Sequence, residues 1–287
     1  MKISLIIGTP RSGKSRVYDL LISSNNFSWI SEYHTRFNPN KVLVNLLNKI
    51  YSIPMLGFLL YRYKDNFKYL PHPIETNVFW AKNIEDFNKT DFNVDSKNLN
   101  HVKKYYTSLI ERILKYQNKK IFIAEYSKWG RIKLFTYIYP DAKFIHFVRD
   151  GKAVAYEYYK MIARGNYKEW QNKEEWIKQW PKSLKNEFSN HGETLIAFCA
   201  LLWKYQINKI KEECSLLDEK NYLEIKYEDF VENPIEYLKQ INLFLEVKTN
   251  KRLEKYVKSK KIVNKNNDWK NELSERDQMT LVSILNS

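Results

Sequence analysis

Eight residues near the start carry the most specific chemistry in this chain: Gly8-Thr9-Pro10-Arg11-Ser12-Gly13-Lys14-Ser15. They lie between a short apolar run, Lys2 to Ile7, and a segment of helical character that begins at Lys14. In that setting successive backbone N–H groups and a helix N-terminus converge on one anion, and glycine permits its close approach. Two of the chain's seven glycines fall in this loop. The letters satisfy G-x-x-x-x-G-K-[ST], so a nucleoside triphosphate is one candidate ligand, with Lys14 on the β- and γ-phosphates and Ser15 on Mg²⁺. A second reading makes Arg11 the key cation and needs no metal.

A second candidate anion grip follows Phe144-Ile145-His146-Phe147-Val148, an apolar run ending in Arg149-Asp150-Gly151-Lys152-Ala153-Val154. A strand end fixes Arg149 where its planar fork grips a phosphate with two parallel bonds. Pro10-Arg11-Ser12-Gly13 and this segment, in this order, resemble the two nucleotide motifs of sulfotransferases that use 3′-phosphoadenosine 5′-phosphosulfate (PAPS). The family's first motif usually continues with Thr, and Lys14 stands there instead. Tyr139-Pro140-Asp141-Ala142-Lys143 is similar to the family's Phe-Pro-Asp-Ala-Lys/Arg. The resemblance implies that Pro10, Arg11, Ser12, Gly13, Lys14 and Ser15 hold the 5′-phosphosulfate and that Arg149 holds the 3′-phosphate. The family places Ser eight residues after that Arg, where this chain has Glu157, a carboxylate that repels a phosphate unless it turns away or Lys160 or Arg164 neutralises it. Tyr227-Glu228-Asp229-Phe230 resembles the family's Tyr-Glu-Asp-Leu, which implies that Tyr227 lines the adenine site. Asn267-Asp268-Trp269-Lys270 resembles the segment that closes over the nucleotide, and Lys265 and Lys270 are its candidate cations.

Moving a sulfuryl group to an alcohol requires a base for the hydroxyl proton, cations or N–H groups at the leaving oxygen, and in-line alignment. Arg11 and the loop amides suit the leaving oxygen. Glu32 is the favoured base, since it follows an apolar run and sits on the edge where a parallel sheet builds its site. Ser31-Glu32-Tyr33-His34-Thr35-Arg36 is similar to the Glu-x-Thr-Arg letters of the protein-tyrosine branch, which uses Glu. His34 is the rival, because small-molecule sulfotransferases use His. Glu125 imitates a magnesium-holding acid and also matches an altered Glu-Lys-Thr-Pro turn of the family. It is assigned no role.

The elements that must position these residues are legible in outline. Strands are expected over Lys2–Ile7, Phe27–Ser31, Ile121–Ala124, Lys143–Val148 and Tyr222–Ile225. Helices are expected from Lys14 to Ile22, Leu99 to Tyr116, Arg131 to Tyr139, Lys152 to Ala163, Thr194 to Cys214, Pro234 to Leu245 and from Ser274 onward. Strands alternating with helices predict a three-layer α/β fold with a mostly parallel sheet, and the resemblance implies the P-loop-like sulfotransferase version. No repeat or Gly/Ser linker divides residues 1–287, so one domain is expected, with an irregular lid or acceptor-site insertion at about 36–96.

Composition bounds the rest. Of 287 residues, 48 are Lys or Arg and 33 Asp or Glu, a formal charge of +15 that favours anionic partners. Nucleic acid is not expected, since no zinc, helix-turn-helix or RNA-stacking motif accompanies the charge. Cys199 and Cys214, the only cysteines, match no metal or disulfide framework, and a reducing, cytoplasmic setting is the simpler expectation. No signal peptide is apparent, and Val42 to Tyr61 is too interrupted by Asn45, Asn48, Lys49 and Pro54 to span a membrane. The leading expectation is a PAPS-dependent sulfotransferase acting on a hydroxyl or amine of a carbohydrate, lipid, phenol or tyrosine. The alternative is a kinase or hydrolase using ATP–Mg²⁺. The Tyr167, Trp170, Trp176 and Trp180 cluster either walls an acceptor pocket or fills a core.

Overall fold

Apolar alternation along β1 (Lys2–Gly8) sends Ile3, Leu5 and Ile7 to one face and Ile6 to the other, and all four are buried. A strand apolar on both faces is a central one. In the computed structural model, which describes residues 1–37, 42–50, 71–90, 92–94, 99–165, 173–249, 251–259 and 263–286, β1 is the middle of five strands. Its companions are β2 (Phe27–Ser28), β3 (Ile121–Ser127), β4 (Lys143–Val148) and β5 (Tyr222–Lys226). Every pairing is parallel, in the order β2-β3-β1-β4-β5.

Helices cover both faces, giving three layers. On one face lie α1 (Lys14–Ser23), α11 (Tyr227–Glu232), α12 (Pro234–Phe244) and α13 (Lys251–Ser259). The other face carries α4 (Asn77–Ala81), α5 (Asn100–Gln117) and α6 (Ile132–Ile138). A third apolar cluster joins α7 (Gly151–Ala163), α9 (Lys182–Asn190), α10 (Leu195–Cys214), α14 (Asp268–Glu272) and α15 (Glu275–Leu285). Three further helices are α2 (Glu32–Arg36), α3 (Val42–Lys49) and α8 (Lys173–Lys178).

The expected strands and long helices are present with ends shifted by a residue or two, apart from two strands. The Phe27–Ser31 strand stops at Ser28, and Ser31 makes only an isolated antiparallel bridge to Pro73. The strand expected over Ile121–Ala124 runs on to Ser127, buried throughout. The 36–96 stretch is not wholly irregular, since it contains α3 and α4; residues 38–41, 51–70, 91 and 95–96 of it lie outside the described residues. No helix among the described residues is long and apolar enough to cross a membrane. Cys199 and Cys214 are free and buried. Trp180 belongs to the core, stacked 5.3 Å from Phe198, and Trp176 lies 5.7 Å from Trp129. Tyr167 and Trp170 lie outside the described residues.

The strand order places the site. The chain leaves β1 toward β2 and leaves β4 toward β5, in opposite directions. Such a switch point opens a crevice at the carboxyl ends of the two strands. Those ends are Gly8, which opens the phosphate-type loop, and Val148, which precedes Arg149.

Candidate active site

The loop after β1 is held from several sides. Gly13, at φ 92°, caps α1, and an added Cβ would lie 2.5 Å from Cδ2 of Tyr227. Only glycine therefore lets the loop pass under that ring. Arg11 also takes the left-handed region, at φ 65°. A non-glycine residue there carries strain that the surroundings must hold. The Tyr158 hydroxyl lies 3.2 Å from the Pro10 carbonyl and 3.0 Å from Gln206 Oε1, bracing the loop from α7. The Arg11 Nε donates to Met161 Sδ at 2.8 Å, and Arg11 is exposed. The Ser12 hydroxyl is buried in the loop with no partner among the described residues.

Arg149 meets this loop. Its Nη1 donates to the Arg11 carbonyl at 3.0 Å, its Nε donates to Asn266 Oδ1 at 2.9 Å, and its guanidinium lies 4.5 Å from the Tyr227 ring centre. Arg149 is only 8% exposed, so these contacts fix its fork. Glu228 ties the same corner together, accepting from the Asp150 N–H at 3.1 Å and from the Asn266 amide. Gly151 follows because an added Cβ there would lie 2.5 Å from Trp203. Arg149 and Tyr227, far apart in sequence, thus meet at the loop that carries Arg11. Lys265 and Lys270 are exposed, and Lys270 Nζ lies 5.6 Å from the Trp269 ring centre. From that segment it is Asn266 that reaches Arg149. Glu157 pairs with Lys160 at 3.0 Å, one of the arrangements its position requires.

Lys14 points below the loop. Its ammonium is buried, 3.3 Å from both Glu75 and Glu125 and 3.4 Å from the Thr9 carbonyl. The Ser15 hydroxyl donates to Glu125 at 2.5 Å, and the Ser127 hydroxyl donates to Glu75. Burial raises the Glu125 carboxyl above its ordinary pKa, Glu75 adds to the rise, and Lys14 opposes it. Burial pushes Glu75 up as well, but Lys14 and Ser127 outweigh it and hold Glu75 below the usual carboxylate range. Glu75 is a residue that sequence reasoning missed. It sits in the returning arm of the insertion, where no periodicity marks it. That arm docks on β3 through Thr76, whose N–H and hydroxyl donate to the Glu125 carbonyl at 2.9 and 2.8 Å. Tyr158 and Asn266 were missed for the same reason, since neither falls in a motif.

The two candidate bases lie beside this arm. Glu32 Oε2 accepts from the His72 N–H at 2.5 Å, and the Glu32 N–H donates to the His72 carbonyl at 3.2 Å. A carboxylate has further lone pairs for a substrate proton. His34 is buried, and its Nδ1 accepts from the Ser31 N–H at 3.2 Å. The neutral ring then carries its proton on Nε2, which makes that atom a donor. His34 and Thr35 also border a cavity of about 250 Å³ whose wall includes Val78, Phe79, Tyr105 and Tyr106 together with the polar Lys82 and Asn83.

A profile described as the Sulfotransferase family matches residues 5–251, which is most of the chain. The chain belongs to the sulfotransferase family. No curated protein matches it. Among solved structures, the sulfotransferase domain of the Synechococcus PCC 7002 olefin synthase is similar at 16% identity and TM-score 0.51, covering 100% of this chain and 94% of that one. The sulfotransferase domain from the curacin biosynthetic pathway is similar at 16% identity and TM-score 0.53, over 99% and 97%. Sulfotransferase STF9 of Mycobacterium avium gives 12% identity and TM-score 0.56, over 95% and 68%. At such identities the likeness is one of fold, and the fold expectation, a P-loop-like sulfotransferase sheet, is met. The family match disfavours the ATP–Mg²⁺ reading of this sulfotransferase's loop.

Proposed function

We propose that this sulfotransferase moves a sulfuryl group from PAPS to a hydroxyl or amine by in-line displacement. The observation that supports the reading is the 3.0 Å bond from Arg149 to the Arg11 carbonyl, which brings together the two strand ends where the candidate anion grips stand. A nucleotide with anions at both its 5′ and 3′ ends suits such an arrangement. The loop amides, the orphaned Ser12 hydroxyl and Arg11 would take the 5′-phosphosulfate, Arg149 the 3′-phosphate, and Tyr227 the adenine face. As the acceptor oxygen bonds to sulfur, the bond from sulfur to the 5′-phosphate oxygen breaks. The electron pair leaves on that oxygen, where N–H groups and Arg11 stabilise it. The acceptor's proton goes to Glu32. His34, whose Nδ1 already accepts from Ser31, is the poorer base. The cavity beside His34, mostly apolar with Lys82 and Asn83 as polar points on its wall, suits the body of an acceptor such as a phenol or lipid alcohol.

Calorimetric titration with adenosine 3′,5′-bisphosphate tests the donor reading. Saturable binding without magnesium is expected, and none at millimolar nucleotide defeats it. Glu32→Gln should keep bisphosphate affinity and lose turnover by about 10²- to 10⁴-fold. Full turnover in that variant removes Glu32 from the mechanism.

A further inference from the structure

The loop satisfies the triphosphate pattern, yet its two diagnostic residues face inward. Lys14 lies 3.3 Å from each of two carboxylates, and the Ser15 hydroxyl is given to Glu125. One ammonium is therefore shared by two acids. Glu125 is sealed in the sheet, with its side chain 3% exposed, whereas the Glu75 side chain is 40% exposed. Glu75 Oε1 holds Lys14 and the Ser127 hydroxyl, while among the described residues Oε2 has only a 3.5 Å contact with the Asn77 amide. Lys128 adds a further positive field on Glu75. The accessible member of the cluster is thus a negative charge, beside the loop that receives the donor's terminal group.

We propose that Glu75 is a specificity-determining residue, whose half-exposed carboxylate beside the phosphate loop favours a singly charged terminal sulfuryl over an isosteric, doubly charged phosphoryl. The inference rests on the donor reading above and extends it to the choice between the two groups. A sulfuryl terminus carries one negative charge, and a terminal phosphate carries nearly two once pH exceeds about 6. One added unit charge near a carboxylate, at an effective dielectric constant of about 20, costs affinity, and exposure and salt limit the expected loss to about tenfold. Lys14, shared with Glu125, and the Lys128 field offset only part of this cost.

The test is calorimetry at pH 8 without magnesium, comparing PAPS with 3′-phosphoadenosine 5′-diphosphate, which differ only in the terminal group. Wild-type protein is expected to bind PAPS at least tenfold more tightly. Glu75→Gln should narrow the ratio to threefold or less, chiefly by tightening the diphosphate, and Glu75→Asp, which keeps the charge, should preserve it. Glu75→Ala is read in the same way should the Gln variant not fold. A wild-type ratio near one overturns the proposal, as does an unchanged ratio in the charge-removing variants. Saturable binding of both compounds with such ratios leaves the donor reading standing. If neither compound saturates wild-type protein, the donor reading fails and takes this proposal with it.

Discussion

Replacing Arg149 with Lys asks whether the strand-end guanidinium grips a 3′-phosphate or merely braces the loop. A guanidinium has five N–H donors. Two are committed, one to Asn266 at 2.9 Å and one to the Arg11 carbonyl at 3.0 Å, with the plane 4.5 Å from the Tyr227 ring centre. Three donors remain for a phosphate. A lysine ammonium has three in all, so keeping both anchors leaves one. The change removes about two charge-assisted bonds at about 1.5 kcal/mol each, or about 3 kcal/mol, which is about a hundredfold in affinity. Adjustment of the flexible lysine side chain lowers the expected loss to between about tenfold and a hundredfold. Calorimetry with adenosine 3′,5′-bisphosphate and with AMP, which lacks the 3′-phosphate, separates the roles. The bisphosphate should lose that factor while AMP changes by no more than about threefold. Equal losses for both nucleotides would mean that Arg149 acts only through the Arg11 backbone, and would refute the grip, as would no loss for either.

Two further outcomes follow from packing and titration. Gly13→Ala forces an L side chain to φ 92° with its Cβ 2.5 Å from Tyr227, so it should lower unfolding stability by about 2–4 kcal/mol; adding Tyr227→Ala should restore only the steric part, and chemical denaturation showing Gly13→Ala as stable as wild type contradicts the reading. His146 is buried, and burial, with help from Lys211, pushes its pKa down to about 3 despite Glu224 3.6 Å away. The unfolded chain binds a proton below about pH 6.5 that the folded chain refuses, so His146 lowers stability as pH falls from there toward 3. Between pH 6.5 and 4.5 the wild type should lose about 2–3 kcal/mol more than His146→Gln, and identical pH slopes for the two proteins would exclude the effect.

What could be read from the residues follows the range of the forces involved. β1 and β4 were legible because strands buried on both faces are apolar runs bounded by breakers, and their ends are where Gly8 and Arg149 stand. The strand expected to run to Ser31 was cut short because Ser31 starts the five-residue helix α2, using His34 Nδ1 as the acceptor for its own N–H. That local competition has no apolar period to announce it. Glu75 and Asn266 were illegible for another reason. Each gains its meaning from a partner 61 or 117 residues away, and only the folded sheet brings them together.

The arrangement of charge also changes what the formal +15 means for this enzyme. Lys14 is answered by Glu75 and Glu125, and Lys160 by Glu157. Arg149 is held by neutral groups, the Asn266 amide oxygen and the Arg11 carbonyl, and Arg11 by a thioether. The two arginines therefore have no carboxylate among these partners, while Lys14 and Lys160 have their charge balanced. On the proposed donor reading, an anion is selected by the pair whose partners are uncharged. Substituting surface lysines remote from the cleft should then alter the salt dependence of association more than the final affinity, because fields from exposed charges are screened within about 10 Å at 0.1 M salt.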